Sequence, residues 1–343
     1  MYKRQPIDFW IDFKGTIAEN STPRCAIVRV RYHNYTCEHD IYVRQGYAPI
    51  TIDGNAESDK NPAWASYNVY CFDANNAPVY TKSPLEEGSL FRRGNRTAIL
   101  ASNNDRPGFT FGLGPSGSFD VLELGATTPS QKTWSQLAPS ADDVKSRFAS
   151  WSIAGDHERI ATIEDFYTLE STSIHSNIGK AYGVLYGDGA TETQKSVEVA
   201  LGYDHNEDPT NSKKGMRGCF VFNINNSHNI FFPIGKSGYG RRKGMTSNGE
   251  KVGALRYAQR TDYYNNDGTG NIQYVPLFYD LFERPGAIYQ CRNRLSSTGS
   301  DVKKSSAFDI NYFTMGFEGF ENGASNNSDG SDSDACFIRT VKY

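Results

Sequence analysis

At 343 residues the chain is long enough for one large or two ordinary domains, either able to bury a core. Its hydrophobic fraction is 38% and its mean hydropathy −0.59, and no apolar run approaches the ~18 residues of a helical membrane span. Net charge is −3, with both signs along the chain and no continuous basic stripe of the kind that nucleic-acid binding requires, so nucleic acid is not an expected partner.

Residues 7 to 50 read as β. Ala26 to Tyr32 alternates, with Val28, Val30 and Tyr32 on one face and Arg29 and Arg31 on the other. Ile41-Tyr42-Val43 is a second strand, closed by Gly46, and the polar stretch Asp53 to Pro62 reads as a linker. Met1-Tyr2-Lys3-Arg4-Gln5 fits neither a signal peptide nor the strand text after it. It reads as a leader on a truncated frame, with the true N-terminus and any targeting signal expected upstream.

Residues 64 to 135 read as irregular with short strands. Ser140 is placed to cap a helix over 141–148, with Val144 and Phe148 inward. A second helix is predicted to start at Thr162, with Glu164 and Asp165 in its first turn and Ile163, Phe166, Tyr167 and Leu169 as its buried stripe. A third covers Glu192 to Leu201, ended by Gly202. Then strands are predicted at Cys219–Ile224, Asn229–Pro233, Ala254–Tyr257, Ala287–Cys291, Tyr312–Phe317 and Cys336–Val341. Asn322 to Asp334 is a low-complexity polar loop. The 21 Tyr and 20 Phe against 4 Met suit a sheet core, and the 32 Gly suit many turns.

Several segments resemble, in order, the Fibrobacter succinogenes major paralogous domain, a module of Bacteroidales surface proteins related in fold to C-type lectins and formylglycine-generating (sulfatase-modifying) factors. Trp64-Ala65-Ser66-Tyr67-Asn68-Val69 is similar to its "WAxxNV" strand. Glu87-Gly88-Ser89-Leu90-Phe91-Arg92-Arg93-Gly94 is similar to "GxLYQWG", with Arg93 in place of Trp. Glu158 to Phe166 is similar to "WRVPTxxEW", with Ala161 in place of Pro. Phe231-Phe232-Pro233-Ile234-Gly235 is similar to "xFLPAAG", and Ala307 to Tyr312 and Phe337 to Val341 are similar to the last display strand and the closing "xVRCV". The resemblance implies a β-rich α+β fold, with a C-type-lectin-like (formylglycine-generating-enzyme-like) domain over 64–343. Tyr35-Thr36-Cys37 through Val43-Arg44-Gln45-Gly46-Tyr47 resembles the β-sandwich segment that precedes such domains in Bacteroidales fimbrial-tip and lipoprotein-like proteins, which implies that 1–55 is the C-terminal part of a truncated β-sandwich domain.

The departures bear on function. The six cysteines, Cys25, Cys37, Cys71, Cys219, Cys291 and Cys336, form no close pair and no zinc-ligand spacing; disulfides are permitted but not required. The cysteine pair of the formylglycine-generating oxidases is absent, as are the Glu-Pro-Asn, Gln-Pro-Asp and Trp-Asn-Asp calcium motifs of sugar-binding C-type lectins. No enzyme activity, cofactor or metal is therefore expected. The carboxylates of Ser328 to Asp334 lack the order of a calcium loop and read as solvated. Asp204-His205-Asn206-Glu207-Asp208 has no nucleophile or orienting partner and reads as a polar loop, and His33, His39, His157, His175 and His228 are scattered. Gly235-Lys236-Ser237 lacks the upstream glycine of a phosphate loop. Lys213-Lys214 and Arg241-Arg242-Lys243 read as solvated loop charge.

The aromatic loops near the C-terminal third remain. Tyr239, Tyr257, Tyr263, Tyr264, Tyr274 and Tyr279 lie among Arg241, Arg242, Arg256, Arg260 and Asp262. Tyr and Arg together on loops give contact area at low entropic cost. Tyr239, Arg241, Arg256, Tyr263 and Tyr264 are the expected ligand-binding set, against the alternative that about half of these tyrosines are strand core. The expected role is a non-enzymatic adhesion or binding module, extracellular or on the outer-membrane surface. Its partner would be a surface glycan or a host or bacterial protein, and its membrane attachment only an anchor upstream. The alternatives are a structural subunit with fimbrial partners and, less favoured, an oxidase.

Overall fold

The computed structural model describes residues 11–12, 14–18, 21–82, 86–92, 95–100, 118–133, 136–137, 157–170, 177–186, 215–233, 241–242, 251–252, 255–260, 273–276, 286–292, 306–311, 316–322 and 334–343. Among them, one regular element is a helix and the rest are strands. In chain order these are β1 (Arg24–Tyr32), β2 (Cys37–Gln45), β3 (Ala63–Trp64), β4 (Val69–Phe72), β5 (Pro78–Tyr80), β6 (Phe91–Arg92), β7 (Ala98–Ile99), β8 (Ser118–Leu122), β9 (Ser130–Thr133), β10 (Glu158–Ile160) and α1 (Ile163–Tyr167). Then follow β11 (Ile178–Tyr186), β12 (Gly215–Asn223), β13 (Asn229–Pro233), β14 (Arg241–Arg242), β15 (Lys251–Val252), β16 (Leu255–Arg260) and β17 (Gln273–Pro276). The last are β18 (Gly286–Gln290), β19 (Ser306–Asn311), β20 (Gly316–Asn322), β21 (Asp334–Cys336) and β22 (Thr340–Lys342).

The fold is thus β-rich, built from short strands in small sheets. Sheet orders are β10-β22-β3, β11-β12-β13, β17-β16-β21-β6, β18-β19-β20 and β7-β8-β9, with the pairs β1-β2, β4-β5 and β14-β15. The two helices expected over 141–148 and 192–201 lie outside the described residues.

Helix α1 starts where the sequence places it. Thr162 is its N-cap, accepting from the Asp165 amide while the Asp165 carboxylate accepts from the Thr162 amide, a capping box. Phe166 and Leu169 are fully buried, but Tyr167 is exposed, which corrects the expected stripe. At about 100° per residue a one-turn helix cannot turn 166, 167 and 169 to the same side. Asp165 takes the inward place instead and is buried.

Strand β13 falls as expected, and β12, β16 and β18 do so within a few residues. Of the strand expected at Tyr312–Phe317, Gly316 and Phe317 belong to β20, and 312–315 lie outside the described residues. The last predicted strand is broken after Cys336 and resumes at Thr340. Strand β11 went unpredicted; its Gly179 and Gly183 interrupt the apolar alternation that marks a strand.

Those glycines have a packing reason. In the β11-β12-β13 sheet a Cβ on Gly179 would lie 2.4 Å from the Phe222 ring, and one on Gly218 would lie 2.3 Å from the Phe232 carbonyl and 2.4 Å from the Phe231 ring. Aromatic rings thus occupy the space that a Cβ would take, the cross-strand device that compensates glycine in sheets. Phe220 and Phe222 point to one face of β12, where Tyr42 of the N-terminal hairpin stacks on Phe220 and meets Phe222 tilted, with ring centroids 5.0 and 4.7 Å away. Cys219 and Val221 point to the other face, into a core with Trp64, Phe166, Phe232, Tyr289 and Phe337.

The hairpin β1-β2 is seated by more than stacking. Arg44 donates from Nε to the Gly46 carbonyl (3.0 Å), from Nη1 to the Asn229 carbonyl (2.8 Å), and from Nη2 to the Ala48 carbonyl (2.8 Å) and Ser66 Oγ (2.7 Å). The following segment is tied down as well. Ile50 exchanges backbone hydrogen bonds with Trp64, Ile52 is buried, and Asp53 accepts from the Asn55 amide and from Asn61 Nδ2.

Replacing Arg44 by Met is expected to cost about 3 kcal/mol, because four acceptors lose a charged donor at once. Urea unfolding gives the loss, and amide exchange across 24–45 rises with it. An unchanged midpoint would mean that the hairpin is held by Tyr42 alone.

Candidate functional site

Arg339 sits in the break between β21 and β22 and is fully buried. Its Nε donates to Asn68 Oδ1 (2.8 Å), Nη1 to the Ala65 carbonyl (2.9 Å) and Nη2 to the Phe231 carbonyl (3.1 Å). Its guanidinium lies 4.6 Å from the Phe232 ring centroid and 5.9 Å from that of Tyr289. Asn68 Nδ2 donates onward to the Glu87 carbonyl (2.7 Å) and to Tyr289 Oη (3.1 Å), and Tyr289 Oη donates to the Pro233 carbonyl (3.3 Å). Burial pushes the Arg339 pKa down and the Tyr289 pKa up. Gly88, at φ +90°, lets its chain segment approach: a Cβ there would lie 2.7 Å from Asn68 Cβ.

A second cluster joins β10 to α1 and the chain end. Arg159 donates from Nε and Nη2 to the two Asp165 oxygens (3.2 and 2.8 Å), from Nη1 to the Asp59 carboxylate and from Nη2 to the Asp59 carbonyl (3.0 Å). Its guanidinium lies 4.2 Å from the Tyr343 ring centroid. Beside it, Glu158 Oε1 accepts from Thr340 Oγ1 (2.8 Å) and from Tyr80 Oη. Burial raises the Glu158 pKa, and the Thr340 hydrogen bond and Lys342 oppose that rise.

These constellations carry architecture. Apart from Asp165, read as a first-turn acid of the helix, no polar residue in them was singled out by its own chemistry; Asn68, Glu87, Arg159 and Arg339 stood only inside the resembling segments. A buried arginine bonded to carbonyls leaves no pattern in one dimension, because its partners are 108 to 274 residues away.

The expected ligand-binding residues fall differently. Tyr239, Tyr263 and Tyr264 lie outside the described residues. Arg241 belongs to β14, opposite Val252 of β15, and Arg256 belongs to β16, opposite Asp334 of β21. Arg241-Arg242 is therefore strand rather than loop, which corrects the loop assignment of that basic cluster. Arg260 and Gln273 face each other across β16 and β17, so the sequence between them, which holds Tyr263 and Tyr264, joins two paired strand ends. Asp204 to Asp208, Gly235 to Ser237 and Ser328 to Ser333 lie outside the described residues. His228 Nδ1 contacts the Thr51 carbonyl (2.7 Å), and His39 stacks on Tyr32. All six cysteines are free thiols, and burial pushes the Cys219 thiol up to about 12. Among the described residues no group of three or more His, Cys, Asp or Glu is placed to hold a metal ion, and no helix is long and apolar enough to cross a membrane. No protein-family model, no curated protein and no solved structure matches the chain.

Arg339→Lys keeps the charge but loses the fork that reaches three separate acceptors, so a loss of about 3 kcal/mol is expected in urea unfolding. A variant as stable as the parent would remove Arg339 from its central place.

Glu158 gives a pH signature. Its folded pKa lies above its unfolded value, so the folded state holds the proton more tightly. The contribution is fully present below pH ~4.5, the ordinary value, and is lost as pH rises through the elevated folded pKa. Glu158→Gln keeps an oxygen for both hydroxyls and cannot ionise. The difference in urea midpoint, variant minus parent, is therefore expected to grow with pH above ~4.5. Parallel pH profiles would contradict this.

Proposed function

We propose that the chain is a non-enzymatic binding or adhesion module of an extracellular, outer-membrane-surface or fimbrial-tip protein. In this reading residues 64–343 are a C-type-lectin-like domain of the Fibrobacter succinogenes major paralogous type, and 1–55 the end of a β-sandwich domain seated on it. One observation carries the reading. The resembling segments at 64–69, 87–94, 231–235 and 337–341 all meet at Arg339 and Asn68. The segment at 158–166 joins them through the Ile160–Thr340 pairing. Pairing of β3 with β22, Trp64 opposite Val341, brings the two ends of the proposed domain together. Arg241, Arg256 and the Tyr263-Tyr264 sequence then lie on or between strands β14 to β17, away in sequence from the elements that build this closure.

A glycan array probed with the full chain, with and without calcium, tests the function. Saturable binding that Tyr263→Ala or Arg256→Ala lowers about tenfold or more is expected, in line with aromatic and arginine anchors. Absence of binding to any glycan by folded protein would transfer the role to the structural alternative. That second reading has its own support: among the described residues β1 and β2 form a two-stranded sheet, so each has a ladder partner on one side only. An open edge can accept a donated strand.

A further inference from the structure

The β1-β2 hairpin turns through His33 to Thr36, and three residues in a row there hold positive φ: His33 at 57°, Asn34 at 54° and Tyr35 at 64°. That left-handed region crowds a Cβ against the backbone, so glycine is the residue it favours. The turn is held by Thr36, whose amide and hydroxyl both donate to the His33 carbonyl (3.2 and 2.6 Å). Tyr35 contributes nothing to that closure. It is 81% exposed, and no hydrogen bond or ring contact engages the side chain of His33, Asn34 or Tyr35. Behind the turn, Tyr32 and His39 share a face of the hairpin, diagonal across the ladder. Their rings lie offset and nearly parallel, with centroids 5.9 Å apart, and Tyr32 is 41% exposed. This face is opposite to the one on which Tyr42 and Arg44 seat the hairpin. Arg29 and Arg31 lie on the seating face and pair there with Glu38 and Asp40 at 2.7 to 2.9 Å.

We propose that the tip of the β1-β2 hairpin is a binding site for an uncharged sugar. Tyr35 and the Tyr32–His39 pair supply aromatic faces for the sugar ring, and the Asn34 amide supplies hydrogen bonds for its hydroxyls. The proposal rests on the binding-module reading and places a site on residues other than Arg256 and Tyr263. A strained backbone that keeps its side chains where glycine would relieve it points to a use for those side chains. Rings with an apolar body and a polar edge match a sugar, which carries C–H groups on its faces and hydroxyls around its rim. The ion pairs leave the tip with no uncompensated charge, which favours a neutral ligand over an acidic one. Size excludes a protein partner held by the tip alone, because a stable interface takes about 20–30 residues a side and residues 32–39 fall far short.

The test is calorimetric titration of the full chain with maltotetraose, cellotetraose, chitotetraose and mannotetraose. Tetragalacturonate serves as the acidic arm and phosphatidylcholine vesicles as the lipid arm. Binding of at least one neutral tetrasaccharide, equal at ~50 and ~200 mM salt, is expected. Tyr35→Gly and Tyr32→Ala are each expected to lower that affinity about tenfold or more. Tyr35→Gly separates loss of ligand from loss of fold: its urea midpoint should hold, because glycine takes the same φ without crowding. Tyr167→Ala, an exposed tyrosine on α1, is expected to leave binding unchanged. Neutral-sugar binding that neither tip variant lowers would overturn the tip site and leave the binding-module reading standing. Tighter binding of tetragalacturonate or of vesicles would overturn the neutral-sugar class. Folded protein that binds none of them would overturn the tip site, and the glycan array then decides the binding-module reading by itself.

Discussion

A guanidinium with no water around it has to be solvated by the protein, and Arg339 meets that demand through hydrogen bonds to two distant segments, at 65–68 and Phe231, and through the Phe232 and Tyr289 rings beside it. Desolvating a cation costs several kcal/mol, and hydrogen bonds to carbonyl oxygens with aromatic faces alongside offset it only when all are in place together. The backbone at 65–68, the end of β13 and Tyr289 of β18 are therefore coupled: none can move without exposing part of the debt on the charge. Trp64, Phe232 and Phe337, which fill the adjoining core, depend on the same alignment.

Arg44 repeats the solution at the N-terminal side. It too is bonded to backbone carbonyls and a hydroxyl, and burial pushes its pKa down. Arg44 and Arg339 bond to neighbouring residues: Arg44 to Ser66 and Asn229, Arg339 to Ala65 and Phe231. Two cations at one junction repel, and the carbonyls between them provide the counter-dipoles. The glycine-phenylalanine contacts of β11 to β13 supply the flat apolar face on which Tyr42 rests, so the hairpin needs both a polar anchor and an aromatic one. Many of the other strands, such as β3, β6, β7 and β22, have only two or three residues, too little ladder to stand alone, and side-chain anchors carry the connection between sheets.

The buried polar groups are committed to architecture: Arg159 and Arg339 each hold several acceptors, and Asn68 and Tyr289 carry the network onward to the Glu87 and Pro233 carbonyls.

Composition and alternation were enough to reach a β-rich chain of short strands, the Thr162 cap and the position of β13, because caps and two-residue periodicity are local properties. They missed β11, where glycines hide the alternation until Phe222 is seen lying over Gly179. They also turned Tyr167 inward, since a short helix has fewer inward positions than it has apolar residues. Arg339, Asn68 and Arg44 were invisible as a constellation: each is an ordinary polar residue until the fold brings carbonyls from far along the chain around it. The basic residues of β14 to β16 were legible one by one, but only strand register set Arg242 against Lys251 and Arg256 against Asp334. Local chemistry is written along the chain, whereas which charges face each other, and which are buried, is decided by contacts between residues that the sequence keeps far apart.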